Sequence, residues 1–149
     1  MSPHQPAEAT SRTPARVARL GGTAVALGLL AAAMWFAWLG WDHEYYQVDG
    51  VAEGPYRPWQ VLGCALSISA ATVLAYLWVP SVWAIFVLAA AADLGFACAW
   101  ALDAAATDDS GLWLVGMVFL AVGSGIGLVV LLTVTAAVTT LRPRGRRND

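Results

Sequence analysis

The chain has 149 residues, 59% of them apolar and 12% charged, with a formal net charge of −2 and a mean hydropathy of +0.63. That balance excludes a water-soluble domain of this size, whose surface would lack polar cover, and points to an integral membrane protein. Eight arginines with no lysine, ten acids and two cysteines likewise exclude a nucleic-acid binder, a disulfide-dense secreted module and a disordered polymer.

In chain order, residues 1–15 carry three prolines, two serines and two threonines without periodic apolar spacing, and are expected to form a disordered tail. Four apolar stretches follow, at about 17–41, 59–79, 82–102 and 112–141. Each reaches the roughly 20 residues that a helix needs to cross a hydrocarbon core of about 30 Å. Nothing in that core can bond an exposed amide, so helix is the conformation expected. The predicted fold is all-α: a four-transmembrane-helix bundle over 16–141, followed by a short basic tail at 142–149. The first span also imitates a secretory signal, with a basic start, an apolar run over 20–30 and the small residues Ala31, Ala32 and Ala33. The apolar run continues from Met34 through Leu39 without a polar region for a peptidase, so the span is expected to be retained.

Orientation follows from the arginines. Arg12, Arg16 and Arg19 precede the first span and Arg142, Arg144, Arg146 and Arg147 follow the fourth, so both termini are expected in the cytoplasm and the protein in the cell membrane as a multi-pass chain. The connection at 42–58 holds Asp42, Glu44, Asp49 and Glu53 against Arg57, and the connection at 103–111 holds Asp103, Asp108 and Asp109; both are expected outside. Asp49 and Gly50 between Val48 and Val51 match a tight β-hairpin turn. With Tyr45, Tyr46 and Tyr56 beside it, this connection is expected to form a small external cap. The brief connection at Pro80 predicts a tight antiparallel hairpin of the second and third helices. All eight tryptophans fall near span ends, Trp35, Trp38, Trp41, Trp59, Trp100 and Trp113 at the outer interface, Trp78 and Trp83 at the inner one. Trp35, about 9 Å deeper than Trp41, also suits packing between helices.

Lipid tails do not drive apolar helices together, so small residues mark where backbones meet. Such rows are Ala24, Gly28 and Ala32; Gly63, Ser67, Ala71 and Ala75; and Ala91, Gly95 and Ala99. The fourth span holds a GxxxG pair, Gly123 and Gly127, expected to pack within the chain in preference to a dimer face. With Gly125 these glycines also weaken the helix enough to allow a kink. Thr133, Thr135, Thr139 and Thr140 are expected to bond their own helix's carbonyls.

Asp93 is the ionisable residue deep inside a span, where a charged carboxylate costs several kcal/mol unless it is protonated or has polar company. Mirroring the second and third helices about Pro80 and Ser81 sets Asp93 level with Ile68, flanked by Ser67 and Ser69, with Thr72 one turn further in. Asp93, Ser67, Ser69 and Thr72 are thus the candidate intramembrane polar site. It reads either as a hydrogen-bonded packing device or as a proton or cation relay. The same mirror brings Cys64 and Cys98 to one depth as a candidate thiol pair, expected first as buried free thiols, then as a disulfide, and last as a redox site. His43 between Asp42 and Glu44 lacks a third ligand at metal-site spacing, so neither a metal nor a cofactor is expected.

The stretch 45–64, with Asp49-Gly50, then Gly54-Pro55-Tyr56, Pro58-Trp59-Gln60-Val61 and Gly63-Cys64, resembles a block in uncharacterised small four-helix integral membrane proteins of actinobacteria. The resemblance implies the helix count and carries no activity. With His4 in the tail, His43 outside, one intramembrane acid and no HExxH, P-loop or dinucleotide fingerprint, the chain is not expected to be an enzyme. The expectation is a non-catalytic membrane component whose external cap or small-residue helix faces bind a membrane protein or a second copy. The basic tail, Arg142, Arg144, Arg146 and Arg147, is expected on anionic lipid. The alternative is a small proton- or cation-linked transporter or channel subunit working through Asp93.

Overall fold

The computed structural model describes residues 9–41, 46–48, 51–54, 56–107 and 110–141. Four helices carry the chain: α1 (Ala9–Trp38), α2 (Pro58–Trp78), α3 (Val82–Thr107) and α4 (Trp113–Leu141). All four are long and apolar enough to cross a bilayer, and the protein is a multi-pass membrane protein built as an all-α four-helix bundle. Between α1 and α2, β1 (Tyr46–Val48) and β2 (Val51–Glu53) pair antiparallel, with Val48 opposite Val51. Asp49 and Gly50, the expected turn, lie outside the described residues.

The helix bounds differ from the apolar runs in instructive ways. α1 begins at Ala9, inside the stretch expected to be a tail, and runs through Pro14. Alanine and arginine are strong helix formers, so the helix continues beyond the apolar segment that seeds it; residues 1–8 lie outside the described part. At its other end α1 stops at Trp38, where the Gly40 amide reaches back to the Trp35 carbonyl at 3.0 Å. α3 extends past Leu102 to Thr107 because Ala104, Ala105 and Ala106 propagate it. α2 starts with Pro58, which needs no donor there, and the Arg57 amide donates to Gln60 Oε1 at 2.8 Å, occupying the oxygen of a fully buried glutamine. α4 is one unbroken helix through Gly123, Gly125 and Gly127, so those glycines do not break it.

The start of α1 lies beside the α2–α3 turn, where the Arg19 guanidinium stands over the Trp78 ring at 5.6 Å. We call this the turn end of the bundle. At the opposite, loop end, the last turns of α1 meet the beginning of α2, with Trp38 against Trp59 at 6.3 Å.

α3 is the central helix. It packs on α1, α2 and α4, whereas the α1 and α4 backbones do not approach each other among the described residues. The closest seam is α1 against α3 and not the expected α2–α3 hairpin. Sequence neighbours joined by a short turn need share only that turn, while Gly28 and Gly95 let two backbones meet: a Cβ on Gly95 would lie 2.8 Å from the Gly28 Cα. Around this crossing Ala24, Leu27, Ala31, Ala84, Leu88 and Ala92 are buried. α1 meets α2 through Trp38, whose ring lies where a side chain on Gly63 would go. α4 contributes only Leu128 and Leu132 to the buried core. Large apolar side chains such as Leu29, Leu66, Phe86, Leu94, Phe119 and Val130 point away from the bundle, the surface a bilayer requires.

Candidate functional site

Asp93 lies about 16 Å along α3 from Val82 by helical rise, and its side chain is 9% exposed. Its partner comes from α4: Ser124 Oγ donates to Asp93 Oδ1. The same hydroxyl is 2.6 Å from the Leu120 carbonyl, so a single proton is shared between two acceptors. Asp93 Oδ2 has no hydrogen-bond partner among the described residues. The α4 backbone leaves it room, since a Cβ on Gly125 would come within 3.4 Å of it.

The carboxyl borders a cavity of about 310 Å³. α3 supplies its back wall with Ala92, Asp93 and Phe96; α2 supplies Val61, Cys64, Ala65, Ile68 and Ser69; α4 supplies Leu120, Ser124, Gly127 and Leu128; and Leu39, just after α1, closes the loop end. Val61, Ala65 and Gly127 are exposed, so the cavity opens through the side of the bundle between α2 and α4.

Of the three hydroxyls expected near Asp93, only Ser69 shares its cavity. Ser67 Oγ donates to the Gly63 carbonyl at 2.7 Å and Thr72 Oγ1 to the Ile68 carbonyl at 2.7 Å, both within their own helix. Ser69 makes no hydrogen bond among the described residues, unlike every other described serine or threonine of the spans. Ile68 and Ser69 border one cavity with Asp93, whereas Ser67 and Thr72 do not. Ser124 was missed, although mirroring α3 and α4 about their connection sets it near Asp93 in depth. Thr133, Thr135, Thr139 and Thr140 all donate to carbonyls of α4, at 2.7–2.9 Å.

The cysteines share a depth without sharing a face. Cys64 is buried, its thiol 3.8 Å from the Met34 carbonyl of α1, whereas Cys98 is exposed; both are free. The buried-thiol reading therefore fails for Cys98, which points outward between the buried Ala97 and Ala99. The GxxxG pair also departs from expectation. A Cβ on Gly123 or Gly127 would meet nothing within 4 Å, because α4 turns Leu128, Leu132 and Gly125, not this pair, toward its neighbours. Trp35 is a packing residue, 1% exposed and edge-on to Tyr56 at 5.6 Å and Phe96 at 5.7 Å. Its indole Nε1 has no hydrogen-bond partner among the described residues. Among the described residues no three His, Cys, Asp or Glu side chains gather as a metal site; Asp42, His43, Glu44 and the tail arginines lie outside the described part.

A carboxyl oxygen and a hydroxyl without hydrogen-bond partners among the described residues thus lie together among apolar walls. No family model, curated protein or solved structure matches the chain.

Proposed function

We propose that this protein is a non-catalytic membrane component that binds a partner transmembrane helix at the opening between α2 and α4, the partner presenting a polar or basic side chain to Asp93. The observation that carries this reading is Asp93 itself: a mid-span acid with one oxygen unbonded, in a cavity that opens sideways. A polar group in hydrocarbon is stabilised chiefly by another helix's polar group. Along α3, the neighbours facing the bundle on either side are Ala89, Ala92, Phe96 and Ala97, an apolar surround that favours a docking contact over a continuous ion path.

In this reading both termini are cytoplasmic, since the described arginines of α1 sit at the turn end. The β1–β2 pair then belongs to an external cap, and Arg142, Arg144, Arg146 and Arg147 lie on anionic lipid. The second reading is transport, favoured by the unbonded Asp93 Oδ2.

A photo-crosslinking residue at Ser69 or Gly127, activated in native membranes, separates the two. The expected result is one discrete adduct that disappears in Asp93→Leu and survives in Cys98→Ala. Absence of any discrete adduct overturns the docking reading. Proton flux into liposomes that is abolished by Asp93→Asn replaces it with transport.

A further inference from the structure

The turn end carries a second concavity, about 600 Å³, between the first turns of α1 and the α2–α3 connection. Arg16 and Arg19 border it from one side of α1, and Trp78, Ser81 and Trp83 border it from the connection. Three observations give it one chemistry. Neither guanidinium has an acidic partner among the described residues, and the described acidic side chains, Asp93 and Asp103, lie well along α3 from this end. The Ser81 Oγ accepts the Ala84 amide at 3.0 Å, so its own proton remains available, and it does so at the N-terminus of a 26-residue helix with no acid in its first turn. The Trp78 and Trp83 rings are 69% and 75% exposed, with no described partner for either indole N–H. Every polar side chain at this concavity is thus a donor or a positive charge, except the Ser81 oxygen already occupied. Val17 and Leu20, beside the arginines on α1, and Val87, five residues into α3, give the groove apolar walls.

We infer that this groove is a binding site for one anionic phospholipid, its phosphate held by Arg16, Arg19 and Ser81 and an acyl chain lying along Val17, Leu20 and Val87. The Arg19–Trp78 contact keeps that guanidinium at the interface level instead of free in water. The apolar walls of the groove select a lipid over free phosphate. The site shares no lining residue with the Asp93 cavity, so it stands whether or not the docking reading does.

The test is native mass spectrometry of delipidated protein in detergent, titrated with phosphatidylglycerol, with phosphatidylcholine of the same chains, and with inorganic phosphate. The expected result is one phosphatidylglycerol retained per chain, about tenfold to thirtyfold tighter than phosphatidylcholine. That preference falls to near unity in Arg16→Gln/Arg19→Gln, remains in Arg57→Gln, and is partly kept in Arg16→Lys/Arg19→Lys. Circular dichroism and thermal midpoint verify that each variant is folded; should the glutamine pair not fold, Trp78→Phe with Ser81→Ala is expected to weaken the preference in its place. Equal binding of the two lipids, an unchanged preference in a folded glutamine variant, or displacement of the lipid by millimolar phosphate overturns the inference.

Discussion

Gly95 shows how much one hydrogen atom in place of a methyl group can govern. The Gly28 backbone occupies the space a side chain at 95 would need, so Gly95→Ala forces α1 and α3 apart. It is expected to cost about 1–3 kcal/mol, the range for overpacking a fitted contact. Gly123→Ala, where nothing lies within 4 Å, is expected to leave stability unchanged or raise it by up to about 1 kcal/mol through helix propensity. Denaturant titration in micelles by far-UV circular dichroism measures both, and a Gly95→Ala protein as stable as the parent would contradict the seam. The Asp93–Ser124 bond belongs to the same scale. Ser124→Ala is expected to lose about 0.6–1.7 kcal/mol, the range for interhelical hydrogen bonds in membranes, while Ser124→Thr retains most of it in the same titration.

Between helices, depth and facing separate. Span lengths and turn positions constrain how deep a residue lies, because each helix rises uniformly, and Asp93, Ile68 and Ser69 border one cavity. Rotation about the helix axis is decided by tertiary packing, so the same arithmetic could not tell that Ser67 and Thr72 bond their own helix or that Cys98 turns outward. α2 illustrates the point: its buried residues are Gln60, Cys64, Ile68, Thr72 and Tyr76, a row beside the small-residue row that composition singled out. An oxidant such as copper phenanthroline is accordingly expected to leave the protein without a Cys64–Cys98 bond, read as an unchanged intact mass after alkylation under denaturing conditions. Formation of that bond in folded protein would mean that α2 or α3 is rotated from the arrangement described.

For the molecule as a whole, the four spans and the all-α class were legible from hydropathy because the bilayer dictates length and helix alike. The neighbour relations were not, since apolar faces look alike in sequence whether they meet lipid or protein. Tags placed at the two termini are expected to be reached from the same side of right-side-out vesicles only after permeabilisation, as the arginine distribution requires; protection of one tag alone would break the four-span topology. The distance between the α1 and α4 backbones among the described residues also bears on biosynthesis. A ribosome halted after Ser110 would release three spans already clasped at Gly28 and Gly95, yet with the carboxyl that Ser124 should satisfy turned to raw hydrocarbon.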